Sequence, residues 1–184
     1  MLICSLMKVF QLDVKLAFLN GVLQDEIYVG QPQRLVKEGE GDKSYLLKKA
    51  LYGLKQAPRA WYSKIDEHLL NLGFVKNPLE ATLYVKHNGT EILIVSLYVD
   101  DLLATANKTD HIQDFKQEMM KVFEMIDLGF TSYFLGMKIK QGQSKVSICQ
   151  KKYAKEILKK FKKEECKAAR TPMNQKEVVQ RRWR

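Results

Sequence analysis

The chain has 184 residues, of which 46% are hydrophobic, so it is long enough to bury one ordinary core and too apolar to be disordered throughout. Lysine and arginine outnumber aspartate and glutamate by 31 to 21, which gives a formal net charge of +10. That balance suits a polyanionic partner such as nucleic acid, although a merely soluble basic protein fits it equally well.

Cysteine spacing and the distribution of apolar residues indicate the cellular compartment in which the protein is expected. Cys4, Cys149 and Cys166 are an odd number of cysteines at wide spacings with no CxxC motif, which argues against a zinc site and for a reducing setting. The apolar start, MLICSL, lacks the basic leading segment of a signal peptide, and no apolar run approaches the roughly 20 residues that cross a bilayer. We therefore expect an intracellular protein.

The N-terminal part predicts a strand followed by an irregular region. Alternating residues in MKVFQLDV predict a strand over Lys8–Val14, with Asp13 near its C-terminal end and a turn through LNG. Between Asp25 and Lys49 the pattern is interrupted by Pro32, Gly39 and Gly41. We expect short strands at EIYV and SYLL there, around the charged loop KEGEGDKS.

A helix follows from about Ala57 to Leu72. Pro58 suits its first turn and Gly73 suits its end. One apolar face is predicted by the helical spacing of Trp61, Ile65, Leu69 and Leu72.

Two hairpins come next. The segments ATLYVK and EILIVSLYV flank HNGT, whose Asn88-Gly89 pair is a strong hairpin signal. The second strand runs into Asp100 and Asp101, after which LLATA resumes an apolar extended pattern. The two carboxylates are therefore expected at the tip of a second hairpin.

The remaining elements complete a mixed fold. Thr109–Glu124 is predicted to be an amphipathic helix, and YFLGMKIKQGQSKVSICQ a hairpin that turns at Gly142. The apolar face of that helix is expected to consist of Ile112, Phe115, Met119 and Val122. We expect an α+β fold with helices on one face of a mostly antiparallel sheet.

A last helix is predicted over about Gln150–Lys162, with Tyr153, Ile157 and Phe161 inward and lysines outward. Residues 151 to 170 include nine Lys or Arg and three Glu, so the helix and its surroundings are strongly basic.

Asp13 at a strand end and Asp100-Asp101 at a hairpin tip predict three carboxylates at one sheet edge. Such a cluster repels itself unless cations enter, and Mg²⁺ is usually held by one or two carboxylates plus substrate phosphates. Two such ions about 3.5–4 Å apart serve phosphoryl transfer. The alternative is a plain hydrophilic turn, since Asp is common in turns.

Seven blocks in order resemble the reverse transcriptase of copia-type retrotransposons, the RNA-directed DNA polymerase of a Pol polyprotein. They are QLDVKLAFLNG, LKKALYGLKQAPRAWY, SLYVDDLL, FEMIDLG, YFLGMKI, QKKYAKEILKKF and TPMN. The resemblance covers nearly everything from about Lys8 to Asn174. It implies a polymerase palm and the start of a helical thumb.

The resemblance assigns a metal-binding role to Asp13, to Asp100 and to the backbone carbonyl of Val14, with Asp101 as their acidic companion in catalysis. It implies two Mg²⁺ ions as cofactors, and a deoxynucleotide (dNTP) and an RNA or DNA template with its primer as partners. The remainder of the Pol polyprotein is a further expected partner, and the primer 3′-hydroxyl would attack the α-phosphate.

Nucleotide-binding positions follow in the same way. Phe18 matches the aromatic residue that crowds the sugar 2′ position, although a plain core residue fits its spacing as well. Gly53 would allow close backbone approach to a base. The remaining expected contacts to nucleotide or template are Tyr52, Lys55, Gln56 and Tyr98. Pro58 and Trp61 are better interpreted as structural.

The primer end is expected at YFLG, which comprises Tyr133, Phe134, Leu135 and Gly136. A plain hairpin is the alternative for this segment. The thumb helix would follow the nucleic-acid backbone without reading sequence, through Lys151, Lys152, Lys155 and Lys159. A solvated helix face is the alternative there.

The resemblance also implies domain limits. Residues 1–140 would form a partial palm with a fingers remnant at about 25–49, residues 141–173 the rest of the grip and the start of the thumb, and residues 174–184 a divergent tail. Most of the fingers are expected to be missing, because the first metal-binding block arrives at residue 13. The resemblance also implies an intracellular location, in cytoplasmic virus-like particles and in the nucleus.

Two other functions stay open from the sequence. One is a catalytically inactive remnant that keeps the palm fold and a basic nucleic-acid-binding surface. The other is an unrelated two-metal nuclease, which fits poorly because the order of the blocks suits polymerisation.

Overall fold

A computed structural model describes residues 7–36, 39–143 and 145–167. Cys4, the TPMN block and the expected divergent tail, residues 174–184, lie outside these ranges. Each helix within them is too short or too polar to cross a membrane.

Eleven strands, three α-helices and one 3-10 helix make up the described part of the chain. In chain order they are β1 (Val9–Val14), the 3-10 helix (Ala17–Asn20), β2 (Tyr28–Gly30), β3 (Ser44–Leu46), α1 (Ala57–Asn71), β4 (Val75–Lys76), β5 (Leu83–Asn88), β6 (Glu91–Tyr98), β7 (Asp101–Ala106), α2 (Thr109–Val122), β8 (Met125–Phe130), β9 (Tyr133–Phe134), β10 (Met137–Gln141), β11 (Val146–Cys149) and α3 (Lys151–Lys160).

Six antiparallel strands form the main sheet in the order β4-β5-β6-β7-β1-β8. Helices α1 and α2 share one hydrophobic core with one face of this sheet. Alternation in each strand produces that face, because residues two apart point the same way. The layer consists of residues such as Leu12, Val95, Leu102, Ile65 and Met119, all buried. The expected α+β arrangement is confirmed at this level.

Gly21 lets the 3-10 helix approach α1 closely. A Cβ atom on this residue would lie 2.7 Å from the backbone nitrogen of Trp61 and 2.8 Å from the carbonyl carbon of Ala60. The backbone of Gly21 has an ordinary φ of −71°, so lack of space, not dihedral strain, requires glycine here. The LNG segment, expected as a turn, thereby fixes the chain just after β1.

A buried lysine ties α2 to β8. Lys116 is only 4% exposed, and its Nζ donates a hydrogen bond to Asp127 Oδ2 at 2.8 Å. The same ammonium lies 4.5 Å from the centre of the Phe10 ring, a cation–π contact. Burial acts to raise the pKa of Asp127, but hydrogen bonds from Lys116 and from the Gly129 N–H outweigh it and lower that pKa.

A three-stranded sheet, in the order β11-β10-β9, is linked to the beginning of β1 by the side chains of Gln141 and Lys8, and Lys8 Nζ donates to the carbonyls of Gln141 and Gly142. Gln141 Oε1 accepts a hydrogen bond from the Val9 N–H at 2.8 Å. Its Nε2 donates to the carbonyls of Val9 and Thr131, both at 2.9 Å. The side-chain amide therefore pairs with the backbone N–H and carbonyl of Val9 in the way that a neighbouring strand would.

Several expectations for the second half of the chain were incomplete. The strand β8 was not predicted, and YFLGMKIKQGQSKVSICQ forms three strands with a first turn at Leu135-Gly136, where a single hairpin was expected. Val122 was expected in the core but is exposed, whereas Phe123 is buried. Helix α2 ends at Val122, so the chain turns there and carries Phe123 inward.

The prediction that Tyr153, Ile157 and Phe161 face inward is wrong. All three are exposed, and α3 has no buried residue. The spacing did identify an amphipathic helix. Its apolar face lacks a covering layer among the described residues, because the core under α1 and α2 is already complete without it.

Replacing Gly21 by Ala is expected to lower the free energy of unfolding by about 1–3 kcal/mol, because the methyl group overlaps backbone atoms of α1 that cannot move independently. Urea unfolding measures the change. Gly41→Ala is the matched control, since nothing lies within 4 Å of a Cβ there and its φ is not positive. Equal stability of the two variants would contradict the close approach.

Asp127→Asn is expected to destabilise the fold by about 1–3 kcal/mol at pH 7, because the buried Lys116 charge loses its carboxylate. The folded-state pKa of Asp127 is lowered, so its contribution is present above the ordinary value of 3.8 and is lost as the pH falls through the lowered value. Melting curves of parent and variant between pH 7 and pH 2 should therefore converge on the acid side. A constant difference would show that the carboxylate charge is not involved.

Candidate active site

The tip of the β6–β7 hairpin is a two-residue turn of Val99 and Asp100. Tyr98 pairs with Asp101, the first residue of β7, so Asp101 belongs to the strand and only Asp100 to the turn. Val99 has a φ of 55°, a left-handed conformation that β-branched residues rarely adopt. Trp61 Nε1 donates a hydrogen bond to the Val99 carbonyl at 2.5 Å. A side chain of helix α1 thus stabilises the strained turn by this hydrogen bond.

Strand pairing brings the three predicted carboxylate residues together. Asp13 lies directly opposite Asp101 in the antiparallel register of β1 and β7. One residue further on, the Val14 N–H donates a hydrogen bond to the Asp100 carbonyl at 2.8 Å. Segments separated by more than 80 residues therefore meet at one end of the main sheet.

The carboxylates repel one another in this arrangement. Burial raises the pKa of Asp13, and the negative charges of Asp100 and then Asp101 raise it further. None of the ion pairs found among the described residues involves any of the three. The site is thus an uncompensated anionic cluster, the environment that a cation stabilises.

The three side chains do not converge on one point. In the described ranges no group of three or more His, Cys, Asp or Glu residues is arranged to hold a metal ion together. Asp101 is occupied elsewhere, because its Oδ1 accepts a hydrogen bond from Gln11 Nε2 at 2.9 Å. Asp13 and Asp100 are then the two carboxylates of the cluster that accept no side-chain hydrogen bond from a described residue, which fits the one or two that Mg²⁺ usually takes.

The expected nucleotide-binding residues lie in three segments, which are the 3-10 helix after β1, the turn before α1 and the end of β6, where Tyr98 lies. Phe18 is partly buried in the 3-10 helix, and its ring centre lies 5.7 Å from that of Tyr52, which is 89% exposed. Gly53 has a φ of +95° with open space around it. Lys55 and Gln56 are exposed in the turn before α1. These residues form an open surface, not an enclosed pocket.

The YFLG segment lies beside the acidic hairpin. The Phe134 ring centre is 6.1 Å from that of Tyr98, in an edge-to-face arrangement. Leu135 and Gly136 both have positive φ values, of 46° and 79°, and form the tight turn of the small sheet. The predicted primer-grip residues therefore adjoin the carboxylates through one aromatic contact.

A basic groove of about 830 Å³ lies between the small sheet and α3. Its lysines come from β10 and from α3, and Lys152 Nζ lies 6.0 Å from the centre of the Tyr133 ring. The lysines lining it are Lys138, Lys140, Lys151, Lys152 and Lys155. Lys159, although predicted with them, is exposed outside this lining.

Sequence reasoning missed Gln11, Lys138 and Lys140. Gln11 is two residues before Asp13, so period-two alternation places both on the same face of β1. Lys138 and Lys140 flank Ile139 in the same alternating way on β10. Polar residues at alternate positions of an otherwise apolar strand were the available signal.

The geometry agrees with what comparisons with known proteins find. Residues 3–175 match the family model described as reverse transcriptase (RNA-dependent DNA polymerase). The match extends over most of the chain, and the chain belongs to the reverse transcriptase family.

Its relatives are transposon proteins. The chain is 39% identical over 166 residues to the Retrovirus-related Pol polyprotein from transposon RE2 of Arabidopsis thaliana, a match of 89% of this chain and 11% of that protein. It is 38% identical over 170 residues to the Retrovirus-related Pol polyprotein from transposon TNT 1-94 of Nicotiana tabacum, a match of 91% of this chain and 13% of that protein. The putative transposon Ty5-1 protein YCL074W of Saccharomyces cerevisiae is 38% identical over 133 residues, 72% of this chain and 43% of that protein. The chain thus spans a small part of the Pol polyproteins.

Val99→Asn is expected to raise the free energy of unfolding by about 1 kcal/mol, because Asn tolerates the left-handed conformation that is strained for Val. Urea unfolding at neutral pH measures it. Val75→Asn, at an exposed position of β4 without a positive φ, should bring no gain. A Val99→Asn variant no more stable than the parent would mean that the turn stores no strain.

Proposed function

We propose that the chain is an RNA-directed DNA polymerase domain of a copia-type retrotransposon, which transfers a nucleotide from a dNTP to a primer 3′-hydroxyl. The observation that carries the proposal is the meeting of Asp13 and Asp100 at one end of the main sheet, where neither forms an ion pair with a described residue. The chain's membership in the reverse transcriptase family supports it. The activity of a whole Pol polyprotein is a wider proposal, because the chain spans only a small part of one.

The donor set fits magnesium. Asp13, Asp100 and the backbone carbonyl of Val14 would hold the ions, since hard oxygen ligands suit Mg²⁺. Burial and then the charges of Asp100 and Asp101 raise the pKa of Asp13, and a bound cation would offset that repulsion. Bound Mg²⁺ ions supply charge neutralisation and activation of the attacking hydroxyl. Asp13 and Asp100 would fix the position of the ions, and the turn at Val99 determines the position of the Asp100 carboxylate.

The nucleotide would lie along Phe18 and Tyr52. Phe18 is the second residue of the 3-10 helix that follows β1, and its ring contacts that of Tyr52. A ring in that position would restrict the sugar, while Tyr98 at the hairpin and the exposed Lys55 and Gln56 offer stacking and hydrogen-bonding groups to nucleotide or template.

The nucleic-acid backbone would follow the basic groove. Lysines bind phosphates without reading bases, and five of them line this groove. The small sheet would hold the primer end through Tyr133 to Gly136, beside the acidic hairpin. In this assignment residues up to about 140 form the palm and α3 begins the thumb.

Primer extension on a homopolymer RNA template with Mg²⁺ tests the proposal. The parent chain should add nucleotides, and Asp100→Asn should reduce the rate by at least about 100-fold, since removal of one transition-state charge contact has that order of effect. Glu124→Gln is the control, an exposed carboxylate that bonds Lys15. Extension by the parent no faster than by Asp100→Asn would overturn the proposal for this chain.

A further inference from the structure

In the part of the chain that the structure describes, the side chain of Gln11 bonds Asp101 and neither Asp13 nor Asp100. It lies on β1 opposite Leu103 of β7, which makes it the diagonal neighbour of Asp101 on the same sheet face. Its side chain is long enough to span that diagonal, and Nε2 donates to Asp101 Oδ1 at 2.9 Å. Gln11 is itself buried, at 8% exposure, so the amide cannot exchange this partner freely for water.

The chemistry of an amide donor matters here. A lysine or arginine in this position would neutralise Asp101 and compete with a cation for the cluster. The glutamine amide fixes the carboxylate by a hydrogen bond and leaves its negative charge in place. Asp101 therefore adds to the negative potential around Asp13 and Asp100 while its position is determined by Gln11.

We propose that Gln11 is a positioning residue that sets the cation selectivity of the site: by holding Asp101, it keeps the number of free carboxylates at two and favours Mg²⁺ over Ca²⁺. The inference rests on the proposed metal site. Selectivity between these ions depends on the number and flexibility of the oxygen ligands, because Ca²⁺ takes six to eight in a flexible arrangement whereas Mg²⁺ keeps waters and few carboxylates. Release of Asp101 adds a mobile third carboxylate, which serves the larger ion.

Competition against Mn²⁺ tests this without any polymerase assay. Free Mn²⁺ is followed by electron paramagnetic resonance while Mg²⁺ or Ca²⁺ is added to the full chain. Gln11→Met keeps the length and removes the donor, and its ratio of Ca²⁺ to Mg²⁺ affinity should rise by about three- to tenfold. Thr105→Val is the control, since Thr105 lies on the same face of β7 and its buried hydroxyl bonds no described residue.

The possible results are distinct. An unchanged ratio in Gln11→Met, with melting within a few degrees of the parent, would overturn the inference and leave the polymerase proposal intact. A parent chain that binds no Mn²⁺ would overturn the metal site and this inference with it. A ratio that rises equally in Thr105→Val would also overturn it, because the effect would then follow from any change on this face.

Nuclear magnetic resonance of the side-chain amide tests the contact itself. The Gln11 Nε2 protons should shift and exchange faster with solvent in Asp101→Ala, and should change little in Asp100→Asn. This signature does not depend on bound metal, so it tests the contact separately from the selectivity. Equal responses to the two substitutions would show that Gln11 does not hold Asp101.

Discussion

The pairing of β1 with β7 is the constraint on which the site depends. It sets Asp13 directly opposite Asp101, an arrangement of like charges that destabilises a sheet. The same register sets Leu12 opposite Leu102 on the reverse face, where both are completely buried. Burial of the leucine pair on one face therefore holds the two aspartates close together on the other face, despite their repulsion. A change of register that relieved the repulsion would also disrupt the leucine pair, because both pairs belong to the same two strands.

Other features of the site show the same opposition between local strain and surrounding support. Val99 adopts a conformation that its side chain disfavours, and the indole of Trp61, itself buried in the core, donates to its carbonyl. Strain of this kind persists only where neighbouring structure over-determines it. The core contributed by α1 thus has two roles, since it stabilises the sheet and fixes the acidic turn.

Local patterns predicted most of the fold and the residues of the acidic end. Alternation located β1, β5, β6 and β7, and helical spacing located α1 and α2 within one or two residues. The resemblance to reverse transcriptases supplied Asp13 and Asp100 before any contact was known. These signals succeed because each depends on residues close together in the sequence.

Features that depend on distant partners escaped prediction. The strand β8 carries a bulge against β1 and only half-buried or exposed residues, so its alternation is weak. Tyr153 and Phe161 sit on a regular amphipathic face, but spacing does not reveal whether another layer covers it. The hydrogen bond from Gln11 to Asp101 joins two neighbouring strands, and it can be inferred only when the register of those strands is known.

The amide of Gln141 has a consequence for how the two sheets behave together. Its three hydrogen bonds to Val9 and Thr131 join the small sheet to the strand that carries Asp13. Sliding between the sheets would break all three at once, so Gln141 couples the position of the small sheet to that of β1. In the proposed function, the acidic end and the small sheet would therefore keep their spacing while a polynucleotide advances past them.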